Sequence, residues 1–297
     1  MPPGEYTAAA SEPTSDAPLA VRAWPPAARA LAGALVAVSR ASLPVVGAAA
    51  FSQLRPELLE PPVLIPVLGV FALLPAVAAR GLAAGFAATV GIEGADLVIR
   101  RRGQLVEVPL ASVAAVRPWR VPLPGVGLDL QLASGRRLFV GIESRDPSRV
   151  LDALAAAGLA PARAAQPHAA LVFARARAAH PGGRWRRPLW KLGLFSLAPT
   201  AVMFNAHQHI AYGGSLGQYY LEGLGPYLQT FAFYWVTVGL YLVLYAGLWR
   251  ALAEGVAWLA ALAAPSRAAR VRRAVETGAL AAYYAGVPAL VAWRFLA

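Results

Sequence analysis

The sequence contains no cysteine and a single lysine, Lys191, among its 297 residues. The lack of cysteine excludes disulfide bonds, thiol nucleophiles, and redox pairs or iron–sulfur clusters held by cysteine. Charged residues make up only 14% of the chain, whereas soluble domains carry about 25%. Because 58% of the residues are hydrophobic and the mean hydropathy is +0.52, these values favour an integral membrane protein.

The formal net charge of +12 is carried almost entirely by arginine. These arginines flank apolar runs rather than line one polar face, which is the distribution that lipid headgroups and the positive-inside rule produce. We therefore expect membrane lipids as partners and no nucleic acid.

The first 80 residues predict a tail followed by a membrane hairpin. Residues 1–23 are rich in Pro, Ser and Thr and carry acids before any base, which is the reverse of a secretory signal and predicts a disordered cytoplasmic tail. The segment 24–80 holds apolar runs at 31–51 and 62–79, each near the ~20 residues that a spanning helix needs. Arg40 interrupts the first run. It is either an intramembrane charge with a function, or residues 27–39 lie along the interface and the span begins later.

Residues 81–160 change to a period of two and predict a small α+β module. Alternating strands are predicted at 89–93, 97–101, 105–109, 113–121, 128–132 and 138–142. The last two flank the turn "ASGR" and place Leu130 and Val140 in the core. A closing helix follows at 144–158 and stops at Gly158.

This order of short strands, the stretch "VPLASVAAV" at 108–116, a Gly-containing hairpin and one closing helix resembles the bacterial pleckstrin-homology-like (PH-like) domain. The resemblance covers roughly residues 86–158. It implies a partly open barrel capped by a helix, and interaction or assembly rather than catalysis. The nearest counterpart of a phosphoinositide-binding loop is "RRRG" at 100–103, for which a solvated turn is the alternative.

A basic linker is predicted at 161–188, and a second transmembrane region at 189–297 with spans at 189–205, 226–264 and 277–291. The cluster at the start of this region either fixes the topology or binds lipid headgroups; it consists of Arg184, Arg186, Arg187 and Lys191. The charge asymmetry predicts about five spans in a bacterial inner membrane, with the N-terminus and the module cytoplasmic and the C-terminus outside.

The outer loop 205–226 brings His207 and His209 within three residues, and Glu222 is its only acid. On a strand, the two histidines would point the same way and could share a divalent metal with Glu222. On a helix, they would point about 200° apart and could not. The alternative to a site is an interfacial helix end, in which case no cofactor is expected.

Together these features predict a membrane α-helical fold of about five transmembrane helices with an inserted PH-like barrel domain. The expected function is that of a non-catalytic assembly, scaffold or regulatory subunit with a protein partner or a second copy of the chain. The alternative is a membrane enzyme or cofactor-binding subunit with its site around His207, His209, Glu222 and Tyr212.

Overall fold

The computed structural model describes residues 18–52, 60–179 and 187–296, and side chains up to residue 292. The chain divides into two compact units, and each is described separately below. One comprises residues up to Ala30 together with Leu82–Leu171, and the other comprises Leu31–Gly81 with Val172–Ala297.

The first unit is built on a curled, seven-stranded antiparallel half-barrel sheet. Its strand order is β4-β3-β2-β1-β7-β6-β5. The strands are β1 (Leu19–Trp24), β2 (Ala87–Glu93), β3 (Asp96–Arg101), β4 (Gln104–Pro109), β5 (Val113–Pro118), β6 (Gly127–Leu132) and β7 (Gly141–Glu143).

The central strand β1 comes from the segment predicted to be a disordered tail. That prediction is wrong for residues 19–23, whereas residues 1–17 lie outside the described part of the chain. β1 pairs on one side with β2, where Val21 faces Ala88, and on the other with β7, where Ala23 faces Ile142. Along the sequence, the two apolar helices Pro26–Phe51 and Pro61–Gly85 therefore fall between β1 and β2, which are neighbouring strands of one sheet.

Strands β2 to β6 coincide with predicted strands, and Leu130 and Val140 are buried as expected. The predicted strand at 113–121 ends earlier, at Pro118, and β7 has only three residues, because the chain is irregular at 138–140. The closing helix is α4 (Pro147–Ala156), which begins with the side chain of Asp146 accepting a hydrogen bond from the Ser148 amide. Its apolar face is buried, with Leu151 and Leu154 almost fully covered.

The predicted linker at 161–188 is largely helical where it is described. α5 (Ala160–Ala165) packs against α4 and β5, and Ala162 is fully buried. α6 (Ala169–Ala178) follows, with Leu171 fully buried. Residues 180–186 of the linker lie outside the described part of the chain. Alanine has the highest helix propensity, and the burial of Ala162 and Leu171 supplies the packing that helices of this length need. A composition that suggested a linker therefore forms packed helices.

Four helices of the described residues are long and apolar enough to cross a membrane. They are Pro26–Phe51 (α1), Pro61–Gly85, Leu224–Ala263 (α9) and Pro265–Ala292. The second consists of α2 (Pro61–Leu68), a π-helical turn at Gly69–Leu73 and α3 (Leu74–Gly85). The fourth is a 3₁₀ turn (Pro265–Arg267) that leads into α10 (Ala268–Leu296).

The predicted third span at 189–205 is not one of these four helices, and it is built from two helical pieces. A π-helical turn, Leu189–Leu194, is followed by α7 (Leu197–Tyr212), and the intervening Phe195 and Ser196 keep right-handed helical backbone angles. The helical path therefore runs seven residues past the predicted end, and a short helix, α8 (Gly217–Glu222), lies between α7 and α9.

In the second unit, α9 contacts α1, α2, α7, α8 and α10. Gly247 allows α1 to approach α9, since a Cβ there would lie 2.8 Å from the Cβ of Leu43. On the α10 side, the fully buried Tyr283 donates a hydrogen bond of 2.7 Å to the Lys191 carbonyl oxygen. Close helix contacts of this kind rely on small residues and interhelical hydrogen bonds.

Candidate functional site

The two histidines of the predicted metal site lie in the last two turns of α7. The ring of His207 is half-buried against Tyr234, with centroids 5.2 Å apart. The ring nitrogen Nδ1 of His209 lies 2.9 Å from the Asn205 carbonyl oxygen, one turn earlier. Because both residues are helical, their side chains point about 200° apart. This is the arrangement in which the two cannot share one ion.

The residue between them forms the centre of a polar network. Gln208 is fully buried, and its Nε2 donates to Gln218 Oε1 at 2.9 Å, while its Oε1 accepts from the Gln218 amide at 3.2 Å. Gln218 Nε2 donates to Thr230 Oγ1 and to Glu222 Oε2, at 3.0 and 2.8 Å. The network therefore joins α7, α8 and α9.

The carboxylate of Glu222 belongs to this network. Its other oxygen accepts a hydrogen bond of 3.2 Å from the Tyr212 hydroxyl. Within the described residues, no group of three or more His, Cys, Asp and Glu side chains is placed to hold a metal ion. The geometry of Glu222, Gln218 and Gln208 is that of a connection between helix ends, and the divalent metal stays a prediction.

We expect Gln208→Ala to destabilise the α7–α9 junction more than His209→Ala does. The first change leaves Gln218 without its buried partner, which costs about 1–3 kcal/mol, whereas the exposed His209 should cost within about ±0.5 kcal/mol. Hydrogen exchange of α8 amides in the purified full chain measures both values. A stoichiometric metal that is lost in His207→Ala or His209→Ala would instead establish a metal site.

The predicted lipid-facing and intramembrane charges fall in different surroundings. Arg184 and Arg186 lie outside the described residues, and Arg187 is exposed. Lys191 is half-buried, with its ammonium 4.3 Å from the centroid of the Tyr283 ring. Arg40 is exposed within the continuous helix α1. α1 thus includes residues 27–39 without interruption.

The "RRRG" turn binds the end of a helix. Arg101 and Arg102 donate to the carbonyl oxygens of Gly85 and Ala84, at 3.3 and 3.5 Å, and the Arg101 guanidinium lies 4.3 Å from the centroid of the Phe86 ring. Carbonyl groups at a helix C-terminus have no intrahelical donors and attract cations. This turn is therefore exposed at Arg100, Arg102 and Gly103, as a solvated turn would be, and it also contributes donors to the C-terminal end of α3.

A groove in the half-barrel unit was not predicted from the sequence. It has a volume of about 1120 Å³ and lies between β5 with its following loop and helix α5. Trp119 forms part of its wall, and its indole donates to Asp129 Oδ1 at 2.8 Å. Gly127 and Gly141 make room for this ring, because a Cβ at either position would lie 2.8 Å from it.

A buried carboxylate, Glu143, lies in strand β7 of the same sheet. Glu143 is buried and accepts hydrogen bonds from Arg22 Nη1, at 2.9 Å, and from the indole of Trp24. Arg22 and Trp24 both belong to β1, so this carboxylate fixes the central strand to β7. Arg22 lies within residues 1–23, which the sequence predicted to be a disordered tail.

In comparisons with known proteins, no family model matches the chain, and no significant match is found among curated proteins or solved structures.

The groove residues were missed because their partners are distant in sequence. Arg29 and Asp129, which both line the groove, are 100 residues apart and form an ion pair of 3.0 Å. The only local signal was the stretch "VRPWRVPLPG" at 116–125, where arginine, tryptophan and proline are concentrated in one loop.

Proposed function

We propose that the chain is a non-catalytic assembly or regulatory subunit of a bacterial inner membrane, with a PH-like unit that docks a protein partner. Seven antiparallel strands followed by the packed helix α4 support the PH-like assignment. Four helices able to cross a membrane support the membrane location.

The observation that carries this proposal is the uncovered edge of the sheet. β4 is the last strand on its side, and within the described residues no further strand pairs with it. The opposite edge strand, β5, packs against α5. Of the features with which proteins commonly block an edge, β4 has Glu107 and its last residue, Pro109, but no lysine and no bulge. Leu105 on this strand is 50% exposed. An extended segment of a partner can add to such an edge as an eighth strand.

We expect a photo-crosslinking amino acid at Leu105 to capture a partner protein, or a second copy of the chain, in native membranes. The matched control is Phe139, which is 62% exposed in the same unit but lies outside the named strands. Leu105→Lys should lower the amount of co-purified partner several-fold, since an edge lysine opposes strand addition. Equal crosslinking at both positions, or an unchanged yield with Leu105→Lys, would contradict docking at β4.

A five-span topology is the second part of the proposal. The π-helical turn and α7 together provide a fifth helical segment, from Leu189 to Tyr212. α9 has 40 residues, or about 60 Å, twice the ~30 Å of the hydrocarbon core. One end of α9 therefore extends beyond the bilayer, and the basic residues 267–273 just after it favour the cytoplasmic side.

A reporter inserted after Gly135 should be cytoplasmic, and one inserted between Gly213 and Gly214 should be external. Gly135 and Gly213 both lie in turns with positive φ, of 80° and 71°, so an insertion there interrupts no helix or strand. The measurement is paired alkaline phosphatase and green fluorescent protein fusions. The reversed pattern, or both reporters on one side, would refute the five-span topology.

A further inference from the structure

The groove beside β5 carries an excess of positive charge that its own residues do not neutralise. Its charged and titratable lining side chains are Arg29, Arg117, Arg120, Arg137, His168 and Asp129. Four arginines thus face a single carboxylate. An uncompensated cluster of this kind focuses a positive potential within a concave surface and favours an anionic ligand.

The only carboxylate among these lining side chains, Asp129, is already paired within the groove wall. Asp129 accepts from Arg29 Nη1, at 3.0 Å and 3.2 Å to its two oxygens, and from the Trp119 indole. The Arg29 guanidinium also lies 4.6 Å from the centroid of the Trp119 ring. Arg29, Trp119 and Asp129 therefore form a fixed wall in which the charges of Arg29 and Asp129 cancel.

The other three arginines supply the free charge. Arg117, Arg120 and Arg137 are exposed, and within the described residues none has a side-chain hydrogen bond or ion pair. Their guanidinium groups can each present parallel N–H donors to the oxygens of a phosphate. His168 accepts from the Ala170 amide through Nδ1, at 3.2 Å. In the neutral ring this leaves Nε2 as the hydrogen-bond donor.

Arg29 both lines the groove and lies at the start of a helix that can cross a membrane. Arg29 lies in the first turn of α1, where its amide donates to the Pro25 carbonyl oxygen, and α1 is one of the helices that can cross a bilayer. The chain passes from this groove residue directly into an apolar helix. Phosphate groups are concentrated at the depth where such a helix enters the bilayer.

We propose that this groove binds a phosphate ester, with Arg117, Arg120 and Arg137 contacting the phosphate oxygens. The volume of about 1120 Å³ slightly exceeds the roughly 300–1,000 Å³ of small-molecule sites, so the groove accommodates a phosphorylated headgroup as well as a single phosphate. The ester comes either from an anionic phospholipid or from a soluble phosphorylated molecule. The residues of this site differ from those of the β4 edge and from the predicted cluster of Arg184, Arg186, Arg187 and Lys191.

The test is calorimetry on the purified full chain in phosphatidylcholine nanodiscs. The probes are dihexanoyl phosphatidic acid, glycerol 3-phosphate, inorganic phosphate and, as a zwitterionic reference, dihexanoyl phosphatidylcholine. The variant Arg120→Gln/Arg137→Gln is compared with Arg136→Gln/Arg145→Gln, whose arginines are exposed in the same unit but do not line the groove. Both variants lose the same net charge.

We expect saturable binding of a phosphate probe that weakens about tenfold or more in the groove variant and less than about threefold in the control. Tighter binding of phosphatidic acid than of glycerol 3-phosphate would identify the lipid as the source, whereas equal affinity would identify a soluble ester. If both variants lost the same affinity for the phosphate probes, the binding would reflect only the net charge of the unit, and the proposal would be overturned. The absence of saturable binding of every phosphate probe would overturn it too.

Discussion

Val21→Pro should unfold the half-barrel sheet while the membrane helices stay folded. Val21 is buried in the central strand β1, which pairs with β2 on one side and with β7 on the other. Proline removes a backbone donor and is tolerated only at sheet edges, at strand starts or at bulges. Since β1 joins the two halves of the sheet, its loss separates β2–β4 from β5–β7.

Hydrogen exchange of the full chain in nanodiscs measures this effect unit by unit. Amides of β2, β6 and β7 should lose protection in Val21→Pro, while those of α9 and α10 keep theirs. Val21→Ala is the matched control, because it removes side-chain volume without removing the backbone donor, and it should cost about 1–3 kcal/mol. If Val21→Pro leaves β7 protected, β1 is not a central strand.

The strands that could be predicted from the sequence are those paired with their neighbours along the chain. β2, β3 and β4 are consecutive hairpins, and the turns between them contain Gly94 and Gly103, whose φ angles are 62° and 78°. Local alternation and turn residues are enough to predict such hairpins. β1 has the same alternation, with Val21 and Ala23 buried. Its partners, β2 and β7, follow more than 60 residues later in the sequence, after two long apolar helices, so no neighbouring strand indicated the pairing.

The candidate sites were even harder to predict from the sequence, because their residues come together only in the tertiary structure. The histidine pair was noticed because histidine is rare in this chain, yet the buried side chain at that place is Gln208, which lies between the two. The groove depends on the ion pair of Arg29 and Asp129. An arginine in the first turn of an apolar helix resembles any membrane-flanking residue, and only tertiary structure brings it beside Trp119.

A buried arginine near the cytoplasmic end proposed for α10 shows how such a charge is held. Arg272 is only 3% exposed; its Nε donates to Glu276 Oε1 at 2.7 Å, and its Nη2 donates to Glu254 Oε1 at 3.1 Å. The guanidinium also lies 5.0 Å from the centroid of the Phe173 ring. Arg250 lies four residues before Glu254, a spacing at which the two could pair on one helix face, but Arg250 is exposed and Glu254 binds Arg272.

We expect Arg272→Met to destabilise the α9–α10 pair by about 3–5 kcal/mol. Removing one partner of a buried ion pair leaves the other charges uncompensated, and that penalty exceeds the loss of the contact itself. Here two carboxylates would be left together, since Glu254 and Glu276 share the same guanidinium. The measurement is hydrogen exchange of the amides on both sides of the 3₁₀ turn Pro265–Arg267.

Arg270→Met is the matched control, because Arg270 is exposed two residues earlier and the substitution removes the same charge; it should change stability within about ±0.5 kcal/mol. The triple variant Arg272→Met/Glu254→Gln/Glu276→Gln separates the causes. If the penalty arises from uncompensated charge, neutralising both carboxylates restores much of the lost stability, since a buried ionic group replaced as a whole is often close to neutral. If the triple variant is as unstable as Arg272→Met, the ion pairs are not the source of the stability, and packing against Phe173 is.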